Sequence, residues 1–215
     1  MSADLLKLIA WTSPAFPVGG FAWSSGLEAA SRMAVVSDAE ELLGWCRAAL
    51  SEGWMHVDAA LLAHVMATGD PYDEANELAL ALATSPERLR ETCEMAEAFL
   101  DAVAHWRRSN APATASPLAY PVAFGRVAKE AELSAGDTVS AFLHAAVSAQ
   151  IQAALRLLPI GQRDGAKILA RLHDDIERAA EKALATPLEA LGSATPIMDS
   201  CAMRHVELTS RIFRS

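Results

Sequence analysis

Six histidines, three cysteines and 27 carboxylates are the groups of this 215-residue chain that could hold a metal or move a proton. The histidines are His56, His64, His105, His144, His173 and His205. No two lie four residues apart, so no helix presents two imidazoles on one face. His173 and Glu177 share a face but make only a two-member site. Met198, Cys201, Met203 and His205 form a run of soft ligands suited to Cu(I) and less well to Ni(II). The plainer reading is a helix end with two packing methionines, which leaves Cys201 and His205 as weak metal candidates. Gly161-Gln162-Arg163-Asp164-Gly165-Ala166-Lys167 has the wrong spacing for a phosphate loop: three residues separate its glycines instead of four, and Ile168 follows the lysine. It reads as a corner between helices, with Asp164 near a helix start where the dipole favours an anion. Trp23-Ser24-Ser25-Gly26 lacks the Gly-x-Ser-x-Gly elbow of a serine hydrolase. No acid/base pair stands out, so the chain reads as a non-enzyme.

The elements that must position these groups are helices. Alanine is abundant and no stretch clearly alternates as a strand does. The expectation is an all-α, single-domain bundle of about eight to ten helices over residues 1–215, with a tail at 203–215. Ser37 and Glu40 read as a capping box that starts a helix at Asp38. Ser85-Pro86 reads as an N-cap followed by proline in the first turn. Behind it Leu89, Cys93, Ala96, Leu100 and Val103 form one apolar stripe. Ser134 and Asp137 open a long helix that Pro159-Ile160-Gly161 ends. One further helix is read through Ile168, Leu172, Ile176, Ala179 and Ala183, and a short one over Trp23 to Met33. Residues 110–117, rich in Pro, Ala and Ser, read as a hinge.

Composition narrows the class. Apolar content of 52% and 21% charged residues argue against disorder. A net charge of −9 argues against nucleic acid as a partner. Cys46, Cys93 and Cys201 show no pairing motif, which suits a reducing, cytoplasmic setting. Residues 8–27 carry no charge, but Pro14, Pro17, Gly19, Gly20 and Gly26 rule out a membrane-spanning helix there. The stretch reads as a buried or partner-facing loop. Charge is also uneven: 14 of the acids, against 3 bases, fall between Asp38 and Asp101, whereas the last thirteen residues carry Arg204, Arg211 and Arg214 against Glu207.

Three loops concentrate the unusual residues. They are Phe16, Phe21 and Trp23 around Pro-Val-Gly-Gly, the Gly161 corner, and the end Ser210-Arg211-Ile212-Phe213-Arg214-Ser215. Arginine beside phenylalanine is a composition that binding hot spots favour. Phe213 with Arg211 and Arg214 therefore reads as a partner anchor, the alternative being a tail folded back on its own core.

The same places carry a family resemblance. Ser13-Pro14-Ala15-Phe16-Pro17-Val18-Gly19-Gly20-Phe21-Ala22-Trp23-Ser24-Ser25-Gly26-Leu27-Glu28, Pro121 to Gly125, Arg156 to Gly165 and Met203 to Ser215 resemble, in order, four signatures of the urease accessory protein family UreF. The family pattern has Ser-Tyr where Ala22 and Trp23 stand, an acid at Val206 and a tyrosine at Thr209. The resemblance implies a non-enzymatic helical protein that helps load nickel into apo-urease. It further implies a homodimer, binding of UreD (also called UreH), recruitment of the GTPase UreG, and no stably bound cofactor, with nickel in transit. The partner-binding residues it implies are Pro17, Gly19, Gly20 and Phe21, Gly161, Gln162, Asp164 and Gly165, and Arg204, His205, Ser210, Arg211, Phe213 and Arg214. An adaptor or ligand-binding helical module unrelated to urease is the alternative.

Overall fold

The computed structural model describes residues 3–68, 73–106 and 117–215. Among these residues there is no strand, and eleven α-helices follow one another: α1 (Ala3–Trp11), α2 (Leu27–Arg32), α3 (Ala39–Glu52), α4 (Trp54–Thr68), α5 (Asp73–Ala81), α6 (Pro86–Val103), α7 (Tyr120–Glu130), α8 (Ala135–Leu157), α9 (Gln162–Arg171), α10 (His173–Ala185) and α11 (Pro196–Arg204). Single 3-10 turns occupy Gly20–Ala22, Ala104–Trp106, Leu188–Ala190 and His205–Glu207. The all-α expectation holds.

Helix α4 is apolar on nearly every side, with His56, Asp58 and His64 the exceptions, and a helix of that kind belongs in the centre of a bundle. From Met55 to Met66 only His64 escapes full burial. Helices α3, α7, α8 and α10 surround it. The approach of α7 is set by Gly125, where a Cβ would stand 3.0 Å from the Leu62 carbonyl and 3.1 Å from Val65 Cβ. Beside it Phe99 stacks on Phe124 at 4.8 Å, and Trp11 meets both rings edge-on at 6.2 Å. Buried residues from α1 to the tail belong to one contiguous core.

The caps follow local chemistry. Ser85 Oγ accepts from the Arg88 N–H at 3.1 Å, and Ser134 Oγ from the Asp137 N–H at 3.3 Å. At α3 the box is shifted by one residue from the sequence reading. Asp38 is the cap and accepts from the N–H groups of Glu40 and Glu41, both at 2.9 Å, while Glu41 reaches back to the Ser37 N–H at 2.7 Å. The two-carbon reach of aspartate closes the turn that Ser37 would have closed one residue earlier.

Three other expectations need correction. The helix read over Trp23 to Met33 is only α2, because Ser25 and Gly26 both adopt left-handed backbone, at φ 49° and 86°. The single helix read through Ile168 and Ala183 is α9 and α10, broken at Leu172, whose N–H returns to the carbonyls of both Ile168 and Leu169. The buried face of α6 is rotated from the stripe read in sequence. Thr92, Ala96, Phe99 and Val103 point inward together with Glu87 and Glu91, whereas Leu89 is exposed. The hinge read at 110–117 lies, apart from Pro117, outside the described residues.

Helix α8 is long and apolar enough, by length and composition, to cross a membrane. Half of its most apolar stretch is buried in the bundle, as in a core helix.

Candidate partner-docking surface

Two of the three unusual loops meet. After α1 the chain turns through Phe16, passes left-handed at Gly19 and forms the 3-10 turn Gly20–Ala22. Trp23 is extended, and the left-handed pair Ser25 and Gly26 then reverses the chain into α2. Gly26 has two reasons to be glycine: its φ, and the backbone of Ala202 on α11, which a Cβ would meet at 3.0 Å. This reversal aims the N–H groups of Ser24 and Ser25 and the carboxylate of Glu28 at one line of space. The C-terminal tail fills that line.

The tail is held mainly by its backbone. The Arg214 N–H donates to the Ala22 carbonyl at 2.8 Å, and the Ser24 N–H to the Ser215 carbonyl at 3.2 Å. Glu28, fully buried, accepts from the Ile212 N–H at 2.8 Å and the Phe213 N–H at 2.8 Å. His205, also fully buried, places Nε2 3.3 Å from the same carboxylate. Burial alone would raise the Glu28 pKa, but the N–H groups of Ile212 and Phe213, with His205, more than offset it and hold the carboxyl below its ordinary value.

Helix α6 grips the side chains. Its carboxylates at Glu87, Glu91 and Glu94 follow i, i+4, i+7 spacing and so line one face. Glu87 lies 3.9 Å from Arg211, Glu91 accepts from Ser25 Oγ at 2.9 Å and from Ser215 Oγ at 3.2 Å, and Glu94 takes Arg214 in a fork at 2.6 and 2.9 Å. Arg214 also lies over the Trp23 ring at 4.4 Å. Arg156, near the end of α8, covers Phe213 at 4.1 Å and donates to the Phe21 carbonyl at 3.0 Å. Gln150 of α8 donates to the Ser24 carbonyl at 2.8 Å and accepts from Trp45 Nε1 at 3.2 Å, so the N-terminal loop is tied to the core.

Phe213 is therefore covered by its own chain, 4% exposed, and the fold-back alternative describes its place in the structure. What faces solvent is a composite surface. Phe21 is 82% exposed, Ile212 48%, and the Arg204, Ser210, Arg211 and Arg214 side chains reach out around them. Pro17 is exposed and Gly19 and Gly20 are half-buried. The Gly161 corner contributes none of the tail's hydrogen bonds. There Gly161 and Gln162 are exposed, Asp164 Oδ2 accepts from the Gly161 N–H at 3.2 Å as the helix-start reading expects, and Gly165 is buried where a Cβ would stand only 2.9 Å from Ile151 Cγ2. The groove there, between α8 and α9, measures about 220 Å³.

Behind the tail lies a cavity of about 310 Å³ whose wall includes Trp54, Asp58, Arg88, Glu91, Met198 and Ser215. Arg88 is ion-paired to Asp58 and lies 3.3 Å from Glu91, with its guanidinium 4.9 Å from the Trp54 ring. Burial pushes the pKa of both Asp58 and Glu91 up, against the pull of Arg88. Among the described residues no group of three or more His, Cys, Asp and Glu could hold a metal ion. Cys201 is buried and its thiol pKa is pushed up by that burial, with Arg204 pulling partly back.

The sequence reading did not mark Glu28, Glu91, Glu94, Arg156, Ser24, Ser25 or Gln150 as functional. Only the 87/91/94 spacing on α6 and the acid that ends the N-terminal signature offered a signal.

The sequence model of UreF matches residues 36–173. The chain is 43% identical over 216 residues to the urease accessory protein UreF of Agrobacterium fabrum, covering 99% of this chain and 97% of that one. It is 42% identical to the protein of the same name from Sinorhizobium medicae, over 98% of this chain and 96% of the relative. For the one from Cereibacter sphaeroides the identity is also 42%, with both chains covered in full. With the N-terminal signature and the tail now seen as two halves of one assembly, the chain belongs to the UreF family of urease accessory proteins.

Proposed function

We propose that this chain is a non-catalytic, cytoplasmic scaffold of urease maturation. It bridges UreD/UreH and the GTPase UreG on apo-urease and regulates GTP-dependent delivery of nickel, which passes in transit without a resident cofactor. The observation that supports this reading is the composite surface itself. Backbone from both ends of the chain is locked together so that Phe21, Ile212 and three tail arginines face outward on a rigid base. A surface assembled before binding spends little ordering entropy on contact. Within it Phe213 acts from beneath by holding Arg156, and His205 by sharing Glu28 with the tail. The Gly161–Gly165 corner supplies a second contact region beside the α8–α9 groove.

The test is co-purification of the full chain with UreD and with UreG. Arg211→Ala is expected to weaken UreD capture several-fold with helicity unchanged, because Arg211 leans on Glu87 at only 3.9 Å and carries no backbone of the fold. Unaltered capture by that variant counts against the tail as a docking element.

The homodimer has its own candidate face. Leu8 and Trp11 turn α1 inward, while Leu5, Leu6 and Ile9 are exposed on its opposite side. A short helix that is apolar on both sides suits a second copy packed against the outer one. Ile9→Glu is expected to shift the mass read by light scattering from dimer to monomer; a wild-type chain that elutes as a monomer at every concentration removes this part of the proposal.

A further inference from the structure

We infer that the tail-capped face takes an acidic segment of its protein partner, one that also carries apolar side chains. This rests on the docking reading above and names the chemistry of the contact.

The chain as a whole repels anions, with a net charge of −9. Around the tail the acids are mostly buried and the arginines mostly exposed. Arg32 lies 3.9 Å from Glu28, the acid that also binds His205 and the tail backbone, and Arg204 immediately precedes His205. Arg211 and Arg214 flank Phe213, and Arg156 covers it. Arg156 thus covers the buried phenylalanine, Arg211 and Arg214 flank it in the chain, and Arg32 and Arg204 stand next to Glu28 and His205, which anchor the tail.

Their local acids do not cancel them outward. Glu28 and Glu87 are buried and spend their charge on the tail from within. Arg214 already occupies both oxygens of half-exposed Glu94, which leaves Glu207 as the exposed acid of the tail against Arg204, Arg211 and Arg214. The side chains of Arg32, Arg211 and Arg214 remain 50%, 40% and 46% exposed. Each guanidinium has five N–H donors, so one that is stacked on a ring or leaning on a single carboxylate keeps others for a partner's oxygens.

Apolar contact comes from the same face. Phe21 and Ile212 are exposed on it, and Met203 and Val206, three residues apart, are exposed at the start of the tail. A purely ionic partner would leave these in water. Apart from Glu87, Glu91 and Glu94, eleven acids remain between Asp38 and Asp101, and their charge repels the same partner and so favours one orientation.

The experiment uses the full chain with UreD and with UreG, each titrated at low and at high NaCl. Arg204→Glu combined with Arg211→Glu is expected to weaken the UreD complex by more than about tenfold at low salt, and the wild-type UreD complex to weaken with salt by a similar factor. Arg178→Glu, on α10 and away from this face, is the control and is expected to bind as wild type. Circular dichroism confirms that all variants remain helical. If the wild-type complexes form but neither salt nor the double reversal changes them, the acidic-segment inference is overturned and the docking reading survives. If a short DNA duplex displaces the partner, the face is a nucleic-acid surface and the inference is also overturned. If neither UreD nor UreG binds the wild-type chain, both readings fall together.

Discussion

Glu28→Ala is expected to release the tail. In the native fold this carboxylate accepts from two backbone N–H groups and faces a fully buried imidazole. Its removal leaves the Ile212 and Phe213 N–H groups and His205 without that acceptor, a loss of about 3–5 kcal/mol if the tail stayed in place. The expectation is that it does not stay, and that residues 206–215 leave as a unit. The cost is then limited to the free energy of tail docking. The expected result is loss of amide protection at Ile212, Phe213 and Arg214, with the melting temperature moved by only a few degrees. Trp23 fluorescence should change as Arg214 leaves its ring. Protection at α4 should persist; if it collapses too, the tail unfolds only together with the rest of the core and is not a separable latch.

The sign of the pH dependence follows from the lowered Glu28 pKa. A carboxyl whose folded pKa lies below its ordinary value of 4.5 stabilises the fold above that value and loses this contribution as pH falls through the folded pKa. The stability gap between wild type and Glu28→Gln is therefore expected to be constant at neutral pH and to shrink below about pH 4.5. Urea titrations of the pair across that range read it directly. A gap that widens on acidification would overturn the assignment of the latch to the Glu28 carboxylate.

Much of this architecture is legible in the sequence because it is local. Ser85-Pro86 and Ser134 with Asp137 fix helix starts through hydrogen bonds that span three residues. The Gly161 corner is legible for the same reason. Burial of Glu87 and Glu91 is not, because much of what makes it tolerable lies far along the chain: Arg211 for Glu87, and for Glu91 Ser25 and Ser215 in addition to the nearby Arg88. A stripe rule assigns carboxylates to water, so it turned α6 toward Leu89. The break at Leu172 hid for a related reason. The residue is fully buried whether the helix continues or turns, and the apolar period runs through the corner unbroken. At the site, the arginines and Phe213 announce themselves by composition, but their receptor is built from backbone N–H groups and buried acids. Composition is silent about which carboxylate a backbone will meet.

The second large effect belongs to Arg88, the cation beneath the tail. Arg88→Met keeps most of the side-chain volume against Trp54 but strips the charge from between Asp58 and Glu91. Two buried carboxylates are left uncompensated, and breaking such a cluster costs about 3–5 kcal/mol at neutral pH. Both acids already have pKa values raised by burial, and loss of the guanidinium raises them further. A carboxyl with a raised folded pKa favours the fold below its ordinary value and loses that favour as pH rises through the folded one. The deficit of Arg88→Met is therefore expected to shrink as pH falls from about 7 toward the ordinary values of 3.8 and 4.5, because both acids take up protons in the fold before they do so in the unfolded chain. This window lies above the one for Glu28, so the two variants separate the core cluster from the latch. Adding Asp58→Asn and Glu91→Gln to Arg88→Met should recover most of the loss at neutral pH, since it removes the buried charges themselves. If the triple variant is as unstable as Arg88→Met, the guanidinium matters through its packing on Trp54 and not through its charge.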